Sequence, residues 1–359
     1  MREHLYALGV SCIQFIQYWC SDYAPFFEQV NNFYNPNNVL EVLFPVVSFL
    51  DSVFASQLLL VTSFGGWLNC VLKWIFLEDR PFWWVRETDY YAGSTRPKLL
   101  QTSQTCETGP GNPSGHTATA ASVLVLAIMW ISHICNDRKW NSAYWKYAMY
   151  PLFVSQLLSV MLARMYIATH FPHQCLLGAL VGAFIAPALC IFVSDPYIWH
   201  YGWYAKETAR RAVQYHMGCA VSAITVALIT YHTLMFYDID PHYTVKLAFR
   251  WCEQPDNIHV STTPLFALVQ CTGALLGWAS FVTPAVARFR HDTYKRSFII
   301  SAFSTLSITY GLHYLEAAIP RHSVPIFYGL NFVLNVAKPL LYLRVLPELS
   351  MWPFKDKTA

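Results

Sequence analysis

The sequence predicts an all-α membrane protein with about nine transmembrane helices in one bundle. Of the 359 residues, 55% are hydrophobic and only 13% are charged, whereas charged residues make up about 25% of an ordinary soluble domain. The mean hydropathy is positive, at +0.31. Apolar runs of about 17 to 25 residues, the length that crosses a bilayer, recur along the whole chain. Because no internal repeat interrupts them, we expect a single domain over 1–359.

The predicted spans follow one another in nine apolar runs. They lie near 37–54, 56–77, 117–135, 147–168, 173–193, 213–236, 264–283, 297–316 and 325–346. The first is short, contains Pro45 and is separated from the second by a turn at Asp51. An N-terminal arm, 1–36, precedes the spans, and a tail, 347–359, follows them. The first 20 residues contain no long apolar core, so we expect no cleaved signal peptide.

The distribution of basic residues predicts the orientation of the bundle. Three loops on one face carry most of them: Arg138, Lys139 and Lys146; Lys206, Arg210 and Arg211; Arg288, Arg290, Lys295 and Arg296. Loops rich in Lys and Arg remain in the cytosol, so the arm is predicted to be lumenal and the tail cytosolic. The end of the chain, Lys355 to Ala359, resembles the dilysine retrieval signal of endoplasmic-reticulum membrane proteins. The net charge is only +3, and no basic patch interleaved with aromatics predicts a nucleic-acid partner.

The ten cysteines show no C-x-x-C pair and no Cys/His spacing typical of a metal site. We therefore expect neither a metal nor another cofactor. Most of the cysteines lie within apolar runs, where they behave as small buried residues. Cys12, Cys20, Cys106 and Cys252 lie outside the spans on one predicted side, so a disulfide is possible there. The sequence does not determine which of these cysteines pair.

The loop from Cys106 to Thr117 carries the first chemical signal. Gly109, Pro110, Gly111 and Pro113 disfavour a helix, and an apolar run then begins directly after Ser114-Gly115-His116. Ser114 is a good N-cap, and the free amides at a helix N-terminus bind anions. His116 stands at that position and could donate or accept a proton.

Two cations precede this loop at the end of the second span. Lys73 and Arg80 are seven residues apart, close to two helical turns, so we expect both on one helix face. Pro81 is predicted to end that helix. Cations that reach to the membrane surface would give the same pattern, and for Lys73 alone that interpretation is favoured.

The fourth span ends with Arg164, and His170 follows at the corner before the fifth span. Pro172 suits the first turn of that next helix, because its missing N–H would have no partner there. Arg80, His116, Arg164 and His170 then reach the same non-cytosolic face. These groups would repel one another unless an anion lay among them, and a tetrahedral phosphate suits two guanidiniums and helix-start amides.

Two histidines around one phosphate can divide the chemistry, one attacking phosphorus while neutral and the other protonating the leaving oxygen. The pattern Lys73-x6-Arg80-Pro81, then Pro113 to His116, then Arg164-x5-His170 resembles the signature of the type 2 phosphatidic acid phosphatase and haloperoxidase superfamily. The resemblance is closer still to one family, the glucose-6-phosphatase catalytic subunits. It is carried by the segments Phe82 to Val85, Asp89 to Tyr91, Cys106 to Gly111, His170 to Gln174, Trp251 to Pro255 and Thr262 to Pro264.

This resemblance implies a nine-span endoplasmic-reticulum enzyme that hydrolyses glucose 6-phosphate at a lumenal site, with a glucose 6-phosphate transporter as a possible partner. It implies that His170 forms a phosphohistidine and that His116 is the acid. The implied phosphate ligands are Lys73, Arg80, Ser114, Gly115 and Arg164. Two rival functions remain open: a lipid phosphatase with the same site, and an anion transporter or binding subunit without catalysis. The two histidines favour an enzyme, since an anion path needs only positive charge.

The chain departs from the superfamily at two positions. Ala163 stands where a serine is common, and Gln174 stands where an aspartate usually orients the attacking histidine. The orienting group of His170 therefore remains open. We expect His173 to be an interfacial or packing histidine rather than a second nucleophile, because one site needs only one attacking imidazole. The aromatic pairs at 83–84 and 90–91 are expected to form a belt at the membrane interface, with sugar stacking as the alternative. The resemblance implies that the segment from Trp251 to Pro255 forms a lid or a brace over the site.

Overall fold

The computed structural model describes residues 2–140, 142–195, 206–282 and 297–351. Within these ranges the regular elements are helices, and the β-type pairing is one isolated bridge between Glu107 and His259. Two segments that predict the orientation of the bundle, Lys355 to Ala359 and the basic loop from Arg288 to Arg296, lie outside the described residues.

The helices include long apolar elements and shorter elements between some of them. In chain order they are α1 (Arg2–Trp19), α2 (Ala24–Phe33), α3 (Pro36–Leu50), α4 (Ser52–Phe76), α5 (Pro81–Glu87), α6 (Gly115–Asp137), α7 (Ser142–Tyr166), α8 (Pro172–Leu189), α9 (Lys206–Phe236), α10 (Tyr243–Trp251), α11 (Pro264–Phe281), α12 (Phe298–Ala317) and α13 (Val324–Leu340). Single π-helical turns extend α8 through Ser194 and follow α13 over Leu341–Val345.

Across the described ranges, eight helices are long and apolar enough to cross a membrane, namely α4, α6, α7, α8, α9, α11, α12 and α13. The prediction of an all-α polytopic membrane protein is confirmed. The predicted first span corresponds to α3, which is apolar but shorter than the other eight. A π-helical turn over Val39–Leu43 precedes the regular helix that contains Pro45.

The described residues form two compact units, and the first of them contains every predicted site residue. This first unit takes residues from 2–36, 68–184 and 227–267. Its aromatic core includes Tyr6 of α1, which stacks on Phe171 with a ring-centroid distance of 4.4 Å. Trp83 and Trp84 of α5 are 0% and 5% exposed and belong to this core. The predicted interfacial belt is therefore wrong for these two residues, whereas Tyr90 is 38% exposed.

Glycines bring the starts of α6 and α8 into close contact. A Cβ on Gly178 would lie 2.6 Å from Ser114 O, and a Cβ on Gly182 would lie 2.1 Å from Ala118 O. The amide of Ser114 donates to Gln174 O at 3.0 Å. Because only glycine permits this backbone approach, the two helix N-termini that carry the predicted histidines are neighbours.

The second unit takes residues from 37–67, 185–226 and 268–351. Its helices also pack closely, since a Cβ on Gly277 would lie 2.3 Å from Val336 O. Trp278 Nε1 donates to Ser56 O at 2.9 Å. An ion pair joins Lys338 Nζ and Glu316 Oε1 at 2.6 Å. None of the predicted catalytic or phosphate-binding residues belongs to this unit.

Candidate active site

Arg80 enters the site from a short linker rather than from the end of a long helix. Helix α4 ends at Phe76, and Leu77 has a φ of +48°. Arg80 has extended backbone angles and caps α5, whose first residue is Pro81. The expectation that one helix runs through Arg80 and ends at Pro81 is therefore wrong. Pro81 begins a helix instead, because the first turn requires no N–H from that residue.

Lys73 and Arg80 nevertheless meet at the Pro/Gly loop. Lys73 Nζ donates to Pro110 O, and Arg80 Nη2 donates to the same carbonyl at 3.2 Å. Arg80 Nε donates to Gly109 O at 2.6 Å. The amide of Gly111 donates to Glu78 O at 2.7 Å. These bonds hold the open loop against the end of α4.

Ser114 is the N-cap of α6, as the sequence predicts. Its hydroxyl accepts from Thr117 N at 3.5 Å and from Thr117 Oγ1 at 3.0 Å. The backbone amide of Ser114 donates to Gln174 O. The amides of Gly115 and His116 occupy the first turn of α6, where an α-helix supplies no carbonyl partner.

The structure brings Arg80, Arg164 and His170 together. Arg164 lies in the last turn of α7, and its carbonyl accepts from Thr169 Oγ1 at 2.9 Å. His170 lies two residues before Pro172, which is the first residue of α8. Arg80 Nη1 lies 3.2 Å from His170 Nε2. Arg164 and His170 are both fully buried.

A residue that the sequence analysis gave no role, Glu107, occupies the centre of the cluster. Its Oε2 lies 2.8 Å from Arg80 Nη1, and its Oε1 lies 2.5 Å from Arg164 Nη2. His116 Nδ1 is 3.8 Å from Oε1, and His170 Nε2 is 4.0 Å from Oε2. The cations thus surround an anion, as predicted, but that anion is a carboxylate of the protein itself. The sequence did contain one signal for this role, because Glu107 is an acidic residue in the same loop as Ser114 and His116.

The charges around the site set the protonation of Glu107 and His170. Burial alone would raise the pKa of Glu107, but the guanidiniums of Arg164 and Arg80 hold that pKa well below its usual range. Burial lowers the pKa of His170 well below its usual range, and Arg80, Arg164 and Lys73 act in the same direction. Glu107 is therefore a carboxylate and His170 a neutral imidazole at neutral pH.

Gln174 is the side chain that contacts His170 Nδ1. Its Oε1 lies 3.4 Å from His170 Nδ1 and accepts from Phe171 N at 3.1 Å. An amide oxygen can only accept, so Nδ1 carries the proton and Nε2 keeps its lone pair. That lone pair belongs to the nitrogen beside Arg80. A neutral amide thus stands at the position where the resemblance implies an aspartate.

Two buried polar atoms of the cluster have no hydrogen-bond partner among the described residues, namely His116 Nε2 and Arg164 Nε. Buried polar groups are normally paired, so unpaired ones within a cationic cluster indicate where a ligand would bind. Across the same ranges, no group of three or more His, Cys, Asp or Glu side chains is placed to hold a metal ion.

The segment that follows α10 is attached to the site loop. Cys106 and Cys252 form a disulfide, which settles the pairing that the sequence left open, and Cys12 and Cys20 are free thiols. The amide of His259 donates to Cys106 O at 2.9 Å. Thr108 Oγ1 lies 3.2 Å from the hydroxyl of Thr262 and 3.1 Å from that of Thr263. This attachment agrees with the brace expected near Trp251 to Pro255.

The helical membrane fold and this cationic site with two histidines place the chain in a class of membrane phosphatases. The family model described as the PAP2 superfamily matches residues 54–198, which include Lys73, Arg80, His116, Arg164 and His170. No solved structure gives a significant match to the chain.

Curated relatives narrow the class further. The chain is 32% identical to glucose-6-phosphatase 2 of Homo sapiens over 355 residues, which cover 96% of each chain. It is 30% identical to glucose-6-phosphatase catalytic subunit 1 of Mus musculus, covering 96% of this chain and 94% of the relative. It is 29% identical to the catalytic subunit 1 of Canis lupus familiaris over the same shares. The chain therefore belongs to the glucose-6-phosphatase family.

Replacing Glu107 with glutamine should destabilise the protein strongly at neutral pH. Removing one partner of a buried ion pair leaves uncompensated charge and costs about 3–5 kcal/mol. The pKa of Glu107 is lowered by folding, so its stabilisation is complete above the unfolded pKa and is lost as the pH falls through the folded pKa. Thermal unfolding in detergent should show a lower midpoint for Glu107→Gln at neutral pH and a smaller difference in acid.

Glu87→Gln is a matched control in the same unit. Glu87 is half-exposed and pairs with Arg250 at 3.0 Å, so its loss should cost less than about 1 kcal/mol. Equal destabilisation by the two variants would contradict a central role for the Glu107 carboxylate.

Proposed function

We propose that the chain hydrolyses glucose 6-phosphate to glucose and phosphate through a phosphohistidine formed on His170. The observation that carries this proposal is a buried, neutral imidazole beside two guanidiniums that already hold an anion. Arg80 Nη1 is 3.2 Å from His170 Nε2 and 2.8 Å from Glu107 Oε2. A phosphoryl group in the position of that carboxylate would face the Nε2 lone pair.

The first step of the proposed reaction is an exchange of anions. The phosphate group takes the position of the Glu107 carboxylate, and its oxygens accept from the guanidiniums of Arg80 and Arg164. The amides of Gly115 and His116 supply further donors at the helix N-terminus. Lys73 contributes positive charge. Ser114, expected as a phosphate ligand, supports the site by capping α6.

Phosphoryl transfer follows. His170 Nε2 forms a bond to phosphorus while the bond from phosphorus to the sugar oxygen breaks, and His116 protonates that oxygen so that it leaves as an alcohol. Glu107 Oε1 lies 3.8 Å from His116 Nδ1, so both histidines border the position that the phosphate would take.

Hydrolysis of the phosphohistidine completes the cycle. His116, now neutral, accepts a proton from water as the water oxygen attacks phosphorus. The bond from phosphorus to Nε2 breaks, which returns His170 to its neutral form and releases phosphate. The protons balance, because the one given to the sugar oxygen is recovered from water.

The site is proposed to face the lumen of the endoplasmic reticulum. The basic residues at Arg138, Lys139, Arg210 and Arg211 favour a cytosolic position for the opposite face. The disulfide between Cys106 and Cys252 supports an oxidising compartment, since disulfides persist there. A lumenal site would require a transporter that brings glucose 6-phosphate across the membrane.

Glucose 6-phosphate is favoured as the substrate because the relatives described above are named glucose-6-phosphatases. A lipid phosphatase could use the same phosphate ligands, and an anion transporter could use the same cations. The polar loops at 77–114 and 237–263 suit a water-soluble substrate. A buried neutral nucleophile facing an imidazole acid would serve no purpose in transport.

Replacing His170 with alanine should abolish both phosphate release and covalent labelling. Incubation with ³²P-labelled glucose 6-phosphate, followed by an alkaline detergent quench that preserves phosphohistidine, measures the label. His116→Ala should still be labelled by substrates with good leaving groups, and release should slow most when the leaving group is poor. A label that persists in His170→Ala would place the nucleophile elsewhere.

A comparison of substrates tests the substrate class. Purified protein should release phosphate from glucose 6-phosphate and much less from phosphatidic acid in mixed micelles, with His170→Ala as the blank for both. Release from the lipid alone would replace the proposal with a lipid phosphatase. Release from neither substrate by a folded protein would favour the binding or transport alternative.

A further inference from the structure

Glu78 has no role in the reaction described above, yet its carboxylate joins three side chains of the site. Oε1 accepts from Asn112 Nδ2 at 3.0 Å. Oε2 accepts from Gln174 Nε2 at 3.1 Å and lies 2.9 Å from His173 Nε2. The carboxylate is 18% exposed. It lies in the linker between α4 and α5, two residues before Arg80.

The bond from Gln174 continues to the attacking histidine. Gln174 Nε2 donates both to Glu78 Oε2 and to Asp79 O, the latter at 2.9 Å. Because two acceptors hold the amide nitrogen, the amide oxygen must be the atom that faces His170 Nδ1. A chain of hydrogen bonds therefore runs from the Glu78 carboxylate through the amide to the imidazole.

His173 keeps this carboxylate in place. Its ring is stacked on Tyr6 at 5.6 Å and on Phe171 at 5.8 Å between centroids. The packing role expected for His173 thus includes a polar contact with Glu78. Among the described residues, no other acidic side chain makes a hydrogen bond with Glu78. Asp79 is adjacent in the chain, and Arg2 lies near both carboxylates.

We propose that Glu78 is a positioning residue for phosphoryl transfer, acting through Gln174 to hold the attacking tautomer of His170 and to offset the positive charge that its ring acquires. This inference rests on the proposed function, in which His170 Nε2 bonds to phosphorus. A carboxylate beside the far nitrogen of a catalytic imidazole performs this service in other hydrolases. Here an amide stands between the two groups and transmits the orientation.

The charges around His170 explain the need for such a group. Arg80, Arg164 and Lys73 face the ring and oppose positive charge on it, whereas Glu107 favours that charge. When phosphate takes the position of Glu107, the ring loses its nearest carboxylate. Glu78 then supplies a fixed negative charge on the opposite side, at the Nδ1 end.

The variant Glu78→Gln tests the inference, because glutamine keeps the size of the side chain and removes its charge. We expect kcat to fall about 10- to 100-fold, which is the effect of removing the groups that hydrogen-bond to the ligating histidines of metal sites. KM for glucose 6-phosphate should change little, since the guanidiniums that bind phosphate are intact. Loss of a negative charge lowers the pKa of His170, so the acid limb of the kcat/KM profile should move to lower pH. Ionisation of glucose 6-phosphate affects the profiles of the wild-type protein and the variant equally, so it does not contribute to the difference between them.

Asp79→Asn is the matched control, since it removes the same charge one residue away. The Asp79 carboxylate accepts from Trp83 Nε1 at 3.0 Å and makes no bond to the Gln174 side chain. Its effect on kcat should be much smaller, and the acid limb should stay in place. Glu78→Asp restores the charge and should return the acid limb toward the wild-type position.

Two outcomes would overturn the inference. One is an acid limb that stays in place in Glu78→Gln, and the other is an equal shift in Asp79→Asn. Phosphohistidine labelling of the wild-type protein separates this failure from failure of the proposed function. If wild-type His170 is labelled and Glu78→Gln is labelled at the same single-turnover rate, only the role of Glu78 is refuted. If the wild-type protein carries no label on His170, the proposed function fails first.

Discussion

The site depends on one electrostatic constraint: two fully buried guanidiniums must share an anion. Arg80 and Arg164 come from distant parts of the chain, and without a counter-charge their burial would be strongly unfavourable. Glu107 meets that need with contacts of 2.8 and 2.5 Å. The protein thus holds a carboxylate where the proposed reaction requires a phosphate. In the proposed reaction, substrate binding exchanges one anion for another, so the charge of the two buried guanidiniums stays compensated.

The rest of the first unit fixes the parts of this arrangement. Close packing at Gly178 and Gly182 sets the N-termini of α6 and α8 side by side, so that His116 and His170 approach one anion position. The disulfide at Cys106 secures the residue next to Glu107. The imidazole of His170 has a fixed tautomer through Gln174, and the amide of Gln174 is fixed in turn by Glu78. A preorganised site of this kind reorganises little during charge transfer.

Local signals in the sequence predicted most helix boundaries at the site. Ser114 and Pro172 act at their own positions, so their cap and first-turn roles follow from neighbouring residues alone. The sequence predicts a helix that continues to Arg80, because Lys73 and Arg80 have helical spacing. The structure instead ends α4 at Phe76, and hydrogen bonds from Arg80 to the Pro/Gly loop hold the following linker in a non-helical conformation. Glu107 received no role because its position depends on residues 80 and 164, far away in the sequence. Trp84 packs against Tyr6 of α1 and Trp83 lies in the same core, an arrangement that composition cannot predict.

A structure of the protein with orthovanadate would test the central claim most directly. Vanadate can adopt the trigonal-bipyramidal geometry of the transferring phosphoryl group. The account predicts vanadium bonded to His170 Nε2, vanadate oxygens contacting Arg80 and Arg164, and the Glu107 carboxylate displaced from both guanidiniums. Vanadate bound elsewhere, or bound with Glu107 still bridging the two guanidiniums, would contradict the exchange of anions on which the account depends.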